Sequence, residues 1–198
     1  MEQGILFIMS GPSGTGKGTI CNELLRREKM FLSISETTRE IRLGEVDGVT
    51  YNYVSVEEFE EKISKGGFLE YAKYGKNYYG TPKDAVEKRL KNGENVLLEI
   101  EPQGALKVKE QMPEAVMIFI VPPSMKELKK RLEERGREDE EQIKERMQAS
   151  KWEFAQAPRY NYICVNDDLE ECVEEVRRII HTTMRERGHI ENLLKENY

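Results

Sequence analysis

Residues 11–19 read Gly-Pro-Ser-Gly-Thr-Gly-Lys-Gly-Thr, a composition typical of a loop that binds phosphate. Glycines let successive backbone N–H groups curve around an anion without obstruction from side chains. The apolar run 5–9 precedes this loop and a helical pattern follows it, which is the strand–turn–helix context that such a loop requires. The positive end of that helix would face the anion, and Lys17 would add a mobile charge. We therefore predict a nucleoside triphosphate site; the alternative is a flexible glycine-rich turn.

Three arginines form a second candidate group for phosphate chemistry. Arg131 and Arg135 are four residues apart on one face of a predicted helix, and Arg146 lies on the next predicted helix. Like charges at this spacing destabilise a helix by about 0.2–0.5 kcal/mol. A phosphate bound beside them would reverse the sign of that effect, so the pattern indicates an anion-binding cluster.

The elements that must position these residues can be predicted from hydrophobic patterns. Five short apolar runs indicate buried parallel strands: 5–9, 31–34, 96–100, 116–121 and 162–165. Helical patterns separate most of them, which predicts an α/β fold with the ligand at the carboxyl ends of the strands. The helix-start signals are two capping boxes and one Thr-Pro pair: Ser55 with Glu58, Ser124 with Glu127, and Thr81 with Pro82.

Two segments interrupt the alternation of strands and helices. Residues 33–83 are rich in polar and aromatic residues, and a stretch of this length is too long for a loop, which indicates an inserted subdomain. Residues 125–155 form two highly charged predicted helices with little apolar surface, so we expect a mobile segment.

The composition of the chain argues against several classes of function. The chain has 198 residues, 38% of them hydrophobic, and a net charge of -6, so it offers no basic field for nucleic acid. No apolar stretch approaches the ~20 residues of a membrane span. The three cysteines lack metal-ligand spacing, and the first residues lack the layout of a signal peptide. We therefore expect a cytoplasmic protein without nucleic-acid or membrane partners.

Several stretches carry a resemblance to the guanylate kinase family. Residues 35–51 meet every fixed position of the family pattern S-x-T-T-R-x-x-R-x-G-E-x-x-G-x-x-Y. The later matches, in the right order, are Glu70 and residues 77–81, 99–104, 122–124, 131–136 and 165–169. The chain is similar to guanylate kinases over roughly residues 4–187.

The resemblance implies a fold and a division of the chain. The fold is the three-layer P-loop α/β fold with a central parallel five-stranded sheet, an inserted mixed subdomain that binds GMP, and a helical lid. The core would comprise residues 1–32, 84–124 and 156–198, the GMP-binding subdomain residues 33–83, and the lid residues 125–155.

The resemblance also implies how GMP is recognised. Guanine presents its N1–H and N2–H₂ donors side by side, and a carboxylate can accept both, whereas adenine offers no such pair. Glu70 resembles the family residue in that role, and Ser35 resembles the hydroxyl that donates to guanine O6. The alternative for Glu70 is an ordinary polar position on an alternating strand.

Two arginines and two tyrosines resemble the family residues that clamp the GMP phosphate. Arginine offers planar bidentate forks for such a group, and we expect Glu45 to orient one of the two arginines and to touch the ligand. The alternative for the arginines is solvated loop charge. The full set expected at GMP is Ser35, Arg39, Arg42, Glu45, Tyr51, Glu70, Tyr79, Thr81 and Glu99.

On the donor side the resemblance implies ATP held by the glycine-rich loop, by lid arginines and by a loop on the adenine side. The expected set is Gly11, Pro12, Ser13, Gly14, Thr15, Gly16, Lys17, Gly18, Thr19, Arg131, Arg135, Asn166 and Asp167. The residues expected to act in catalysis are Lys17, Arg39, Arg135 and Arg146. Asn166 and Asp167 also suit a simple turn after a strand.

Magnesium is the implied cofactor, and one position departs from the family pattern. Most family members carry Ser or Thr directly after the loop lysine, where this chain has Gly18. Mg²⁺ is then expected to be held mostly by phosphates and water. Glu99 and Glu101 alternate along a predicted strand, so both are expected on one face. They could approach the guanine, a metal-bound water or both, with Glu101 the candidate for a water-mediated metal contact.

The expected activity is transfer of the γ-phosphoryl group of ATP to GMP, and to dGMP, which yields ADP and GDP for purine nucleotide recycling. Alignment and charge stabilisation would supply the catalysis. The Gly-Lys-Gly-Thr ending of the loop leaves another nucleoside monophosphate kinase as the first alternative. A non-catalytic guanylate-kinase-like binding module is the second, and the sequence leaves the oligomeric state open.

Overall fold

The computed structural model describes residues 3–136 and 139–196. Within them the chain falls into two compact units. The first unit comprises the chain up to Ser10 together with Lys29–Met117, and the second comprises Gly11–Glu28 and the chain from Ile118 onward. Residues 137 and 138 of the predicted lid lie outside the described residues.

The described residues form nine strands, seven α-helices and one short 3₁₀ helix, Ala157–Arg159. The strands are β1 Leu6–Ser10, β2 Phe31–Leu32, β3 Glu36–Thr37, β4 Asn52–Tyr53, β5 Phe68–Tyr74, β6 Asn77–Pro82, β7 Val96–Glu99, β8 Val116–Val121 and β9 Tyr162–Val165. The helices are α1 Lys17–Arg27, α2 Val56–Ser64, α3 Lys83–Lys91, α4 Pro102–Gln111, α5 Met125–Arg135, α6 Glu140–Ala155 and α7 Leu169–Glu196. None of the helices in this part of the chain is long and apolar enough to cross a membrane.

The five predicted core strands form the central parallel sheet, which confirms the predicted fold class. In the first unit β7 pairs in parallel with both β2 and β1, and Met9 lies opposite Glu99. In the second unit β8 pairs in parallel with β9. The side chains of β1 and the apolar ones of β7 are buried, which explains why these strands read as continuous apolar runs. Strand β2 is shorter than the predicted run 31–34.

A mixed four-stranded sheet in the order β4-β3-β6-β5 lies in the first unit. Strands β3 and β4 are parallel, and the other two pairs are antiparallel. Phe59 of α2 stacks on Phe68 and Tyr78 of this sheet, with ring centroids 4.3 and 5.2 Å apart, and so anchors the helix. The boundaries of the three predicted segments stay a prediction.

The helix-start predictions have three different outcomes. Ser55 and Glu58 form the complete reciprocal capping box of α2. Ser124 accepts from the backbone of Glu127. The Thr81–Pro82 prediction is wrong, because β6 continues through Pro82 and α3 begins at Lys83 without a side-chain cap. Thr81 instead donates its hydroxyl to Glu70.

An ion-pair network within the second unit joins α1 to α7. Glu28, just after α1, accepts from Arg177 Nε at 2.6 Å and lies 2.9 Å from His181 Nε2. Burial acts to raise the pKa of Glu28, but these hydrogen bonds outweigh it and leave the pKa below its usual value. Glu28 therefore stabilises the fold above the unfolded-state pKa, and this contribution is lost as the pH falls through the folded-state pKa.

We expect Glu28→Gln to lower the melting temperature at pH 7 by a few degrees, because about 1 kcal/mol of ion pairing is lost. The difference from the parent should shrink below about pH 4.5, where the parent carboxyl also becomes protonated. Calorimetric melts across pH 3–8 would measure this, with the exposed Glu171→Gln as the control. A difference that stays constant across this range would contradict the ion-pair account.

Candidate active site

At Gly11 and Gly16 the glycine-rich loop combines a backbone conformation that favours glycine with a close approach of neighbouring atoms. Gly11 has φ +147°, and a Cβ there would lie 2.3 Å from the carbonyl oxygen of Ile120. Gly16 has φ +90°, and its Cβ would lie 2.3 Å from Asn166 Nδ2. Both the conformation and the close approach exclude a side chain, so these glycines are required by the loop itself.

Lys17, the first residue of α1, folds back over this loop. Its Nζ donates to the carbonyl oxygens of Gly11 at 2.6 Å and Pro12 at 3.0 Å. Thr15 is also tied to Pro12, because its hydroxyl donates to the same carbonyl at 2.9 Å. A cation and the positive end of a helix thus lie at one loop, an arrangement that attracts phosphate.

Asn166 holds the loop in place, a role that the sequence did not reveal. It is 6% exposed, and its Nδ2 donates to Thr15 O at 2.8 Å. Its backbone N–H donates to Val121 O, and its carbonyl accepts from Arg131 Nη1 at 3.0 Å. The available signal was an Asn directly after a predicted strand, which fits both a turn and a ligand contact.

The predicted arginine cluster is not a row of unpaired like charges. Arg131 Nε donates to Glu127 at 2.9 Å, a pair four residues apart on α5, and this attraction offsets the repulsion predicted from Arg135. Arg135 and Arg146 are exposed on α5 and α6. Asp167 is also exposed, next to the buried Asn166.

We expect Asn166→Asp to raise the KM for ATP several-fold and to lower stability by about 1–3 kcal/mol. The substitution removes the donor to Thr15 O and sets a carboxylate against a buried carbonyl. The KM for GMP is the internal control and should change less than twofold. Steady-state kinetics with each nucleotide varied in turn, together with a thermal melt, would decide; a larger change for GMP than for ATP contradicts this assignment.

In the first unit, Arg39 and Glu45 form a nearly buried ion pair. Arg39 Nη2 lies 2.7 Å from Glu45 Oε1, with side chains 9% and 19% exposed. Glu45 Oε2 also accepts from the backbone of Arg42 and the hydroxyl of Tyr53, both at 2.8 Å. The hydrogen bond from Arg39 is the main cause that lowers the pKa of Glu45 to about 2. The carboxylate therefore stays ionised and fixes the guanidinium in place.

Three tyrosines surround this ion pair. The Arg39 guanidinium lies 5.6 Å from the ring centroid of Tyr51 and 5.9 Å from that of Tyr53. Tyr51 in turn meets Tyr79 edge-on, with centroids 5.8 Å apart. Tyr53 was not among the predicted residues, although it lies two positions after Tyr51 on the chain. The guanidinium and phenol groups together can bind an anionic group.

Glu70 lies at the irregular start of β5, where the register with β6 shifts between Phe68 and Glu70. Its Oε1 accepts from the buried Thr81 hydroxyl at 2.7 Å. Burial is the main cause that raises the pKa of Glu70. Ser35 lies half-buried just before β3. The half-buried Glu70 carboxylate can accept hydrogen bonds from paired donors.

The prediction that Glu99 and Glu101 alternate along one strand is wrong for Glu101. Strand β7 ends at Glu99, and Glu101 is the residue that precedes Pro102 at the start of α4. Both carboxylates still lie close enough to Tyr51 to contribute to raising its pKa, behind the larger effect of burial.

Among residues 3–136 and 139–196 there is no cluster of three or more His, Cys, Asp or Glu that could hold a metal.

The predicted donor and acceptor residues divide between the two units. The loop 11–19 and the arginines of α5 and α6 belong to the second unit, and the predicted GMP residues belong to the first. A parallel α/β sheet combined with a glycine-rich, lysine-bearing loop at a helix start defines a protein that binds nucleotide phosphates.

Comparisons with known proteins identify the family. The family model described as guanylate kinase matches residues 3–183. The guanylate kinase of Caldanaerobacter subterraneus subsp. tengcongensis is 53% identical over 180 residues, which are 90% of this chain and 87% of that protein. The guanylate kinase of Clostridium perfringens strain 13 is 48% identical over 197 residues, covering 99% of this chain and 89% of that protein. The chain belongs to the guanylate kinase family.

A solved structure agrees with this membership. The guanylate kinase of Anaplasma phagocytophilum has a TM-score of 0.75 and 34% identity, and the match covers 92% of this chain and 87% of that one. A Thermus thermophilus protein, TT1252, matches with a TM-score of 0.56 at 16% identity and shares the fold alone. The resemblance found in the sequence is confirmed, and the chain is an enzyme of the transferase class, a nucleotide kinase.

Proposed function

We propose that this chain transfers the γ-phosphoryl group of ATP to GMP, with dGMP as a second acceptor, and releases ADP and GDP in the cytoplasm. The observation that carries the proposal is the arrangement of the residues in the first unit that would bind GMP, the phosphoryl acceptor. There Glu70 is held by Thr81, and Arg39 by Glu45. The chain has 48–53% sequence identity to two guanylate kinases over at least 90% of its length. This similarity favours the proposed activity over that of a different monophosphate kinase or of a binding module.

We assign recognition of the guanine base to Glu70 and Ser35. The Glu70 carboxylate would accept N1–H and N2–H₂, and the Ser35 hydroxyl would donate to O6. Thr81 fixes the carboxylate by its 2.7 Å hydrogen bond. Adenine offers no matching pair of donors, so a buried acceptor would lose its partners and AMP would be rejected.

We assign the GMP phosphate to Arg39, Arg42, Tyr51 and Tyr79. Glu45 fixes the Arg39 guanidinium and accepts from the backbone N–H of Arg42, so one guanidinium is held in place for the phosphate and the second arginine is close to it in the chain. On the donor side, the loop 11–19 and Lys17 would hold the triphosphate, and Arg131, Asn166 and Asp167 would border the nucleotide. Asn166 already ties the loop to Arg131.

The reaction joins a GMP phosphate oxygen to the γ-phosphorus of ATP and breaks the bond from that phosphorus to the β,γ-bridging oxygen. No covalent enzyme intermediate is required. We assign stabilisation of the charge on the transferring group to Lys17, Arg39, Arg135 and Arg146. Water must be excluded to prevent hydrolysis of ATP, and we propose that segments 33–83 and 125–155 close when both substrates are bound.

Mg²⁺ fits this site as a companion of the nucleotide. Gly18 offers no hydroxyl, and the described residues hold no cluster of three metal-binding side chains, whereas Mg²⁺ prefers phosphate oxygens, water and one or two carboxylates. Exposed Glu101, at the start of α4, is the candidate for a contact through water. When bound, the ion neutralises charge on the ATP phosphates.

A coupled assay of ADP formation with ATP and each of GMP, dGMP, AMP, UMP and dTMP tests the proposed function. We expect kcat/KM for GMP to exceed that for AMP by about 10⁴ or more, because a site built for paired donors is left unsatisfied by adenine. Faster turnover of AMP, UMP or dTMP than of GMP would overturn the proposal in favour of another monophosphate kinase. No turnover with any acceptor would favour a binding module.

A further inference from the structure

Helix α4 contacts strand β5 on both sides of Glu70. Gln111 Nε2 donates to the carbonyl of Leu69 at 2.6 Å, and Lys107 Nζ donates to the carbonyl of Tyr71 at 3.1 Å. These are the two residues that flank Glu70 on the strand. The helix therefore hydrogen-bonds to the backbone of β5 on both sides of Glu70, the residue predicted to read the base. The register of β5 with β6 is irregular at this point.

Gly104, in the first turn of α4, faces the Glu70 carboxylate directly. A Cβ at this position would lie 2.9 Å from Glu70 Oε2 and 3.1 Å from its Cδ. Gly104 is buried, and it is not among the glycines with a positive φ. Its backbone conformation therefore suits any residue, and an added side chain would have to displace the end of the Glu70 side chain.

The position of the Glu70 carboxylate thus depends on neighbours on two sides. Thr81 of β6 holds Oε1 at 2.7 Å, and the bare backbone of Gly104 leaves room for Oε2. Both oxygens are needed if the carboxylate is to accept two adjacent donors. A shift of a few tenths of an ångström at Oε2 would spoil one of the two hydrogen bonds.

We propose that Gly104 is a positioning residue for guanine recognition, which sets the place of the Glu70 carboxylate while Lys107 and Gln111 fix the strand that carries it. The proposal rests on the role proposed above for Glu70. It assigns to α4 the discrimination between purines that differ at the 2-amino group.

Lys107 also acts on the charge of Glu70. Burial raises the pKa of Glu70 most, Thr81 and Lys107 act to lower it, and Glu101 acts to raise it further. Removing the Lys107 ammonium should therefore raise the pKa of Glu70. The acid limb of kcat/KM for GMP should then move to higher pH.

The decisive variant is Gly104→Ala, assayed with GMP and with IMP, which lacks the 2-amino group. We expect the KM for GMP to rise about tenfold, because one of two buried hydrogen bonds is lost. The KM for IMP should rise less, and the KM for ATP should stay within twofold. Gly188→Ala is the matched control, since it is a helical glycine with nothing within 4 Å of the added Cβ, and we expect parent kinetics.

A double variant separates failure of this inference from failure of the proposed function. If Gly104 acts through Glu70, then Gly104→Ala should add less than a twofold change in KM for GMP in a Glu70→Gln background. A tenfold effect of Gly104→Ala that persists in that background overturns the inference, as does an unchanged KM for GMP in the single variant. An unchanged KM in Glu70→Gln alone overturns the base-reading role itself.

Lys107→Met keeps the inference testable if Gly104→Ala fails to fold. Lys107 is half-buried, so its replacement should preserve the fold. We expect a rise of about threefold in KM for GMP and an acid limb displaced to higher pH. Lys107→Arg should restore most of the parent behaviour. A displaced KM for ATP, or a pH profile identical to the parent, contradicts the proposed role of α4.

Discussion

Replacing Lys17 with alanine is expected to reduce kcat by about a hundredfold to a thousandfold, because the change removes a cation that stabilises the transferring phosphoryl group. In the structure the Lys17 ammonium lies against the carbonyls of Gly11 and Pro12, at 2.6 and 3.0 Å. Half-buried Lys17 lies at the start of α1, so the fold should tolerate its removal.

The measurement is initial-rate kinetics with GMP and ATP, supported by a thermal melt. Lys88→Ala, at an exposed position on α3, controls for the loss of a lysine and should retain turnover within twofold. The assignment of the loop fails if Lys17→Ala keeps more than about a tenth of parent turnover, since no other loop residue carries a positive charge.

Glu70→Gln is expected to raise the KM for GMP about tenfold to a hundredfold and to leave the KM for ATP within twofold. The amide replaces one acceptor oxygen by a donor that would face a guanine donor, so one hydrogen bond becomes a repulsion. The 2.7 Å contact with the Thr81 hydroxyl can persist on the remaining oxygen, which keeps the side chain in place.

Varying each substrate in turn at saturating levels of the other separates the two KM values. Glu57→Gln, at an exposed position in the first turn of α2, serves as the control for the change in charge. Equal increases for GMP and ATP would show that Glu70 supports the fold and does not read the base.

Local patterns predicted much of the fold. The run 5–9 followed by the glycine-rich loop predicted β1, the loop and α1, because each signal lies within a few residues. Strands β1, β7 and β8 were predicted because strands buried on both faces read as apolar runs. The predicted burial is wrong for β9, where three of the four residues are exposed. The Ser55 capping box depends on residues three apart and was also predicted correctly.

Contacts between residues distant in sequence explain the remaining differences. Thr81 resembled a helix cap, but its hydroxyl donates a hydrogen bond to Glu70 across the β5–β6 pair. Asn166 bonds to Thr15 across 151 positions, and no local pattern reveals such a contact. The role proposed for Gly104 likewise depends on the place of Glu70, because the helix around Gly104 gives no reason for a glycine there.

We expect GMP, the phosphoryl acceptor, to bind in the first unit, and the triphosphate donor to bind at the loop of the second unit. A crystal structure with GMP and a non-hydrolysable ATP analogue tests it most directly. We predict guanine within hydrogen-bond distance of Glu70, the GMP phosphate at Arg39 and Arg42, and the triphosphate within the loop 11–19. Density for the analogue in the loop, with no GMP bound among residues 33–83, would contradict the account.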